Sequence, residues 1–367
     1  MHHFKSKILA LFALLFLDGF ISGKAALAAP TAPSGNVILI TLDGVRYREI
    51  FKGVQMSKKA GEKKGSSLIP DIEKIIQANG FSFGNKWKDS WGKTRSPMVI
   101  SNKIALSQPG YTSILSGVFE EKCRENGCPN TPHETVIDRL ILKEKTDPKK
   151  VATFASWDLI DRVLEKGAQT AVRSIEFGPV RGLTPQESAP FDAIQAQALV
   201  DRPTRWGGSR WDKYTFEMGH LYLKTFQPKF LYMMFVEPDE YAHKKDYPGY
   251  LATLRDFNSR FVQLVDTLKS MGSYGANTSI VVTTDHGRGR GLLFPKHSRE
   301  WLDSRYIWAL VLPSENFRKQ AGIRATEDDR FFHVDIRPTL EKLMGLEPSK
   351  ISTGGRRKSG RSLVTVD

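Results

Sequence analysis

The sequence predicts an α/β fold, a mostly parallel central sheet flanked by helices on both faces, with a possible cap insertion. Three observations carry that expectation. Short apolar runs rich in β-branched residues recur along the chain, amphipathic helical patterns lie between them, and carboxylates and imidazoles follow directly on several of the runs.

The first run, NVILITL over Asn36 to Leu42, is almost continuously apolar, as befits a parallel strand buried on both faces. The same texture returns at 151–155, 230–236, 279–284 and 307–312. Between the runs, Leu251, Leu254, Phe257, Phe261, Leu264, Val265 and Leu268 mark one face of a helix at the 3.6-residue period, and Met271-Gly272 closes it. Ile336 to Met344, stopped by Gly345, reads as another helix. Residues 172–227 mix Gly, Pro, Trp and charge without clear periodicity, which suggests a cap or insertion over the sheet.

Residues 1–28 read as a signal peptide outside the fold. Lys5 and Lys7 form a basic start, Ile8 to Phe16 an apolar stretch, and Ala26-Leu27-Ala28 a small-residue cleavage site. The apolar stretch is short of the roughly twenty residues that span a bilayer. The rival is an uncleaved N-terminal anchor. With the leader removed, no transmembrane segment is expected, and a single domain over 35–367 is expected in the periplasm or outside the cell. There the only two cysteines, Cys123 and Cys128, read as a disulfide closing a short loop. A zinc site is the rival for them, but no second cysteine pair or neighbouring histidine pair completes it.

The chain has 367 residues and a formal charge of +14, with 40 % of its residues apolar, which argues against disorder as its main state. Its lysines and arginines are spread along the whole length, so basicity points to small anionic substrates and not to a specific nucleic-acid partner.

Ligands of open parallel sheets sit outside the carboxyl ends of the strands. The first run ends in Asp43-Gly44, another leads into Glu237-Pro238-Asp239 with His243 four residues on, and a third runs into Asp285-His286-Gly287. Each alone reads as an ordinary cap or packed histidine. Three together offer oxygen and imidazole donors suited to zinc or its divalent neighbours. The Asp-x-x-x-His spacing would put Asp239 and His243 on one face of a helix. Ser107 precedes a helix expected over Gly110–Gly117, with Pro109 in its first turn. It is either a simple N-cap or a nucleophile whose alkoxide the helix dipole and free N–H groups would stabilise.

As an ordered set, VILITLDGVR (Val37–Arg46), LSQPGYTSILSG (Leu106–Gly117), EPDEYAH (Glu237–His243), VVTTDHGRGRG (Val281–Gly291) and HVDIRPTLEKLMG (His333–Gly345) resemble the alkaline phosphatase superfamily. The nucleotide pyrophosphatase/phosphodiesterase-like branch is the nearest. The resemblance implies a metal-dependent phosphoester hydrolase with two divalent ions, zinc by preference, roughly 4 Å apart. Asp43, Asp285 and His286 with the Ser107 oxygen would hold one ion. Asp239 and His243 would hold the other, with His297 as third ligand and His333 as its rival. Asn126, with Asn130 behind it, would bind the non-bridging oxygen. A phosphoserine would form on Ser107 and then be hydrolysed.

The sequence also departs from the family. Serine stands where most diesterases carry threonine, Gly110-Tyr111 replaces a histidine-containing stretch, and no arginine is plainly placed for phosphate, Arg46, Arg288 and Lys296 being possible. A sulfatase is the nearest rival, yet Tyr111 stands where its C/S-x-P-x-R signature needs arginine. Phosphonate hydrolysis and phosphoglycerate mutase-like phosphoryl transfer stay compatible with the same ligands. A metal-stabilised binding protein is the non-enzyme rival, and its mark would be a degraded ligand set. His2, His3, His133, His220 and Glu237 have no assigned role.

Overall fold

The computed structural model describes residues 34–56, 61–85, 97–167, 169–206, 208–320, 322–327, 330–349 and 360–365. The expected signal peptide lies outside them. The main sheet has seven strands: β1 (Asn36–Leu42), β2 (Phe81–Phe83), β3 (Val151–Ala155), β4 (Val172–Ile175), β5 (Phe230–Phe235), β6 (Thr278–Thr283) and β7 (Ala309–Leu312), in the order β2-β7-β6-β1-β5-β3-β4. From β6 to β4 every pairing is parallel. β1 is central, with Val37 opposite Phe230 on one side and Ser279 on the other.

The run at 307–312 departs from the parallel reading. β7 is antiparallel to β6 and β2, and the run breaks at Trp308, so that Tyr306–Ile307 pairs with Met98–Val99 in a second small sheet. Trp308 makes the break, its indole N–H donating to the Val45 carbonyl at 2.9 Å while its own carbonyl accepts from Thr283 Oγ at 2.6 Å. An apolar run reports burial and carries no sign of strand direction.

Alternation along β1 divides the core. Ile38, Ile40 and Leu42 point to one face, where they meet α1 (Pro70–Asn79), α4 (Asp212–Phe226) and α6 (Tyr247–Ser270). Val37 and Leu39 point to the other, where α2 (Ser107–Ser116) and α7 (Ile336–Leu343) bury Ile114, Leu115, Ile336 and Leu340. The stretch 172–227, expected as a possible cap, supplies edge strand β4, helix α3 (Pro185–Val200) and α4, all belonging to the sheet and the layer beside it. Phe216, Met218, Tyr222 and Leu223 of α4 and Phe191 of α3 join the core. The Gly, Pro and Trp residues that blur the pattern fall mostly in the connections at 176–184 and 201–211.

Cys123 and Cys128 are bridged, with Cα atoms 5.8 Å apart. Among the described residues, no helix is long and apolar enough to cross a membrane.

Candidate metal centre

The carboxyl ends of β1, β5 and β6 converge. Asp43 follows β1, and Asp285 and His286 follow β6 by one and two residues past Thr284, all three buried. One donor atom from each lies within 4.8 Å of the other two. Close approach here depends on glycine at two points. Gly44 has φ +62°, and a Cβ there would meet Asp239 Oδ1 at 2.4 Å; a Cβ on Gly110 would meet the Asp285 carbonyl at 2.8 Å. Glycine at 44 lets the chain turn while its N–H donates to Asp285 Oδ1 at 3.0 Å. Glycine at 110 lets α2 press against the end of β6.

Ser107 is the first residue of α2, following the extended Leu106. Its Oγ lies 3.4 Å from His286 Nε2 and 3.5 Å from Asp43 Oδ1. Tyr111, one turn on, donates its hydroxyl to the other Asp43 oxygen at 3.0 Å. Sequence reasoning treated Tyr111 only as a mismatch; its i+4 spacing from Ser107 is the signal that places it beside the same carboxylate.

His286 Nδ1 lies 2.9 Å from the Gly287 carbonyl. A neutral ring therefore keeps its proton on Nδ1 and turns the Nε2 lone pair toward Asp43 Oδ1 at 3.6 Å and Asp285 Oδ2 at 3.3 Å. Asp285 Oδ2, wholly buried, has no hydrogen-bond donor. Burial, and then the Asp285 charge, raises the Asp43 pKa well above the ordinary carboxylate range, and burial pushes Asp285 up to about 6. Burial lowers the His286 pKa. Burial and the closeness of the two carboxylates thus penalise their charged forms, at a cost that a cation would offset.

A second group stands beside the first. α5 (Glu237–His243) begins just after β5, and its helical backbone puts His243 Nε2 2.8 Å from Asp239 Oδ2. His297 comes from the loop after β6. Its Nδ1 lies 2.8 Å from the Ala105 carbonyl, which leaves the Nε2 lone pair 3.1 Å from His243 Nε2. His297 also stacks on His286 with ring centroids 4.1 Å apart. Burial, then His286, pushes the His297 pKa down, and burial lowers that of His243. Asp239, His286 and His297 also form a set within 4.8 Å, so His286 borders both groups.

The rival ligand His333 is fully buried and belongs to neither group; burial takes its pKa down to about 3. Arg288 is buried and ion-paired with Asp239 Oδ1. Arg46 is engaged with Glu49 and with the Gly289 carbonyl at 2.9 Å. Both are held within the protein, and Lys296 is exposed.

Asn126 sits at the start of α2, its Oδ1 accepting from the Gln108 N–H at 3.0 Å. Since Pro109 has no N–H, the expected cradle of free helix N–H groups is reduced. The helix dipole and the Asn126 Nδ2 remain as attractions for an anion. Asn130 is exposed. Glu237, without a role in the sequence, clasps the frame of α5: its Oε1 accepts from the Asp212 N–H at 2.6 Å, while Asp212 accepts from the N–H groups of Val236 and Glu237 at 2.9 and 3.0 Å.

The sequence matches no protein-family profile and no curated protein. Solved structures do match. The phosphonate monoester hydrolase of Agrobacterium radiobacter superposes with a TM-score of 0.52 at 15 % identity, over 90 % of this chain and 76 % of that one. The lipoteichoic acid synthase LtaP from Listeria monocytogenes gives 0.51 at 13 %, over 90 % and 76 %. A 2-O GAG sulfatase gives 0.50 at 13 %, over 90 % and 73 %. The chain shares the fold of these two hydrolases and this synthase. In that fold the two donor groups lie at the carboxyl edge of the sheet, where an open α/β sheet accepts ligands.

Proposed function

We propose that the chain is a metal-dependent phosphoester hydrolase with Ser107 as nucleophile. The observation that carries this reading is the meeting of Asp43, Asp285 and His286 lone pairs beside the Ser107 hydroxyl, with the Asp285 Oδ2 lacking any donor. The donor set fits a divalent cation of the zinc type. Asp43, Asp285, His286 and Ser107 would hold one ion, and Asp239, His243 and His297 a second. Bound there, such ions supply Lewis-acid neutralisation of the attacking and leaving oxygens.

The chain's own residues do the rest. Tyr111 and the Gly44 N–H orient the two carboxylates, and the Gly287 and Ala105 carbonyls fix the tautomers of His286 and His297. Ser107 Oγ forms a bond to phosphorus as the ester P–O bond breaks. The leaving oxygen takes a proton and departs as an alcohol, and water then cleaves the phosphoserine. Asn126 Nδ2 is the candidate donor to a non-bridging oxygen. The sulfatase reading has less support, because Tyr111 occupies the position that its signature gives to arginine and is engaged with Asp43. Export to the periplasm or beyond fits the Cys123–Cys128 bridge.

The test is metal analysis of the purified protein together with hydrolysis rates for phosphate monoesters, phosphodiesters, phosphonates and sulfates. The expected result is about two zinc ions per chain and preference for phosphoesters. A protein that binds less than one ion after zinc reconstitution, or that prefers sulfate esters, would overturn the reading.

A further inference from the structure

Resting on the hydrolase reading, the structure also bears on the leaving group. In an in-line displacement the leaving oxygen departs on the side away from the attacking Ser107 Oγ, and the second ion neutralises it. The second donor group is Asp239, His243 and His297. The two segments that carry those histidines also wall a cavity of about 240 Å³, with Lys245 and Tyr247 shortly after His243, Gly291 to Lys296 running up to His297, and Met56 completing the lining.

Much of the wall is apolar. Phe294 is buried edge-on against Tyr247 and Tyr250, with centroids 5.1 and 5.0 Å apart. Leu292 and Leu293 line the cavity as well, and Leu292 is 81 % exposed. Exposed leucine beside a reactive centre has a use if a ligand covers it. Lys245 and Lys296 flank the same cavity, no carboxylate lines it, and neither lysine has an ion pair among the described residues. Lys245 also holds φ +60°, a conformation that side-chain-bearing residues seldom adopt.

We propose that this cavity receives the leaving group and that the substrate class is an anionic phosphoester of a neutral, apolar alcohol. Apolar walls gain from each methylene that leaves water. The two lysines attract the anionic ester and repel a cationic leaving group such as an amino alcohol.

The experiment uses the zinc-loaded full chain with alkyl phosphates and methyl alkyl phosphodiesters, the alkyl arm growing from ethyl to hexyl. These alcohols differ little in leaving ability, so kcat/KM reads the cavity. The expected rise is about two- to fourfold per methylene, with aminoethyl esters turned over more slowly than propyl esters. The double variant Leu292→Ser/Leu293→Ser, at exposed positions, is expected to flatten the series, lowering the hexyl ester rate far more than the ethyl ester rate. Leu293→Trp, which fills the space, is expected to penalise hexyl most. A flat series in the wild type, a slope unchanged in both variants, or a preference for aminoethyl esters overturns this inference while the hydrolase reading stands. No turnover of any ester overturns the hydrolase reading and the inference with it.

Discussion

The two donor groups are built differently. Asp43, Asp285 and His286 hang from the ends of adjacent parallel strands, are buried, and are held by backbone and by Tyr111. Asp239 and His243 lie one turn apart on a seven-residue helix, His297 lies on a loop, and His243 leaves 46 % of its side chain exposed. Asp239 is also ion-paired with the buried Arg288. The first group is arranged before any ligand arrives, because the sheet fixes it. The second is arranged by local turns and has a competing internal cation. Preorganisation of this kind is worth most where a nucleophile stands, and Ser107, the proposed nucleophile, stands at the first group.

The comparison can be broken most severely at that proposed nucleophile. Ser107→Ala should lower phosphoester hydrolysis by about a thousandfold or more with zinc content retained; full activity would remove Ser107 from the role. His297→Ala should act next, taking the zinc content from about two ions to about one and reducing activity by about a hundredfold. Metal analysis that still finds both ions would show that His297 is not a ligand.

Acid should then separate the groups. Burial raises Asp285 to about 6 and raises Asp43 as well, so each accepts a proton more readily than an ordinary carboxylate and a proton competes there with a cation. Zinc binding to the first group should weaken as pH falls through about 6, by about tenfold per pH unit for one proton taken up. The sign reverses for the metal-free fold. A raised carboxylate pKa contributes stability below it that is lost as pH rises through about 6. Calorimetric zinc titrations and chelator-treated melts from pH 5 to 8 would check both directions.

Tyr111→Phe removes only the hydrogen bond to Asp43, and about a tenfold loss in zinc affinity or rate is expected. A loss as large as that of Ser107→Ala would mean the hydroxyl meets substrate. The smallest catalytic effect is expected at Cys123 and Cys128. Replacing both by serine should destabilise the chain by about 2 kcal/mol in a thermal melt, with little change in kcat.

Much of this was legible in the chain. The runs at 36–42 and 151–155 became strands with those bounds, and those at 230–236 and 279–284 did so within a residue. Dense β-branched sequence between turns has few other ways to bury itself. Asp43, Ser107, Asp239, His243, Asp285 and His286 could be named because they follow strands or begin helices, whereas His297 came only from the family resemblance. What escaped was contact between segments far apart in sequence. Tyr111 on Asp43 spans 68 residues, Arg288 on Asp239 spans 49, and Asp212 with Glu237 spans 25. The antiparallel sense of β7 escaped for the same reason, as did the place of 172–227 in the sheet.

The sequence by itself determined which residues are buried in strands and which chemical groups stand at their ends, because periodicity and residue type are local properties. Tertiary structure alone decided that His297 and not His333 reaches Asp239 and His243, that Arg46 and Arg288 are tied up inside the protein, and that the segments carrying His243 and His297 share a cavity. Those outcomes depend on which loops the packing of helices against a twisted sheet brings together, and that is a property of the whole chain.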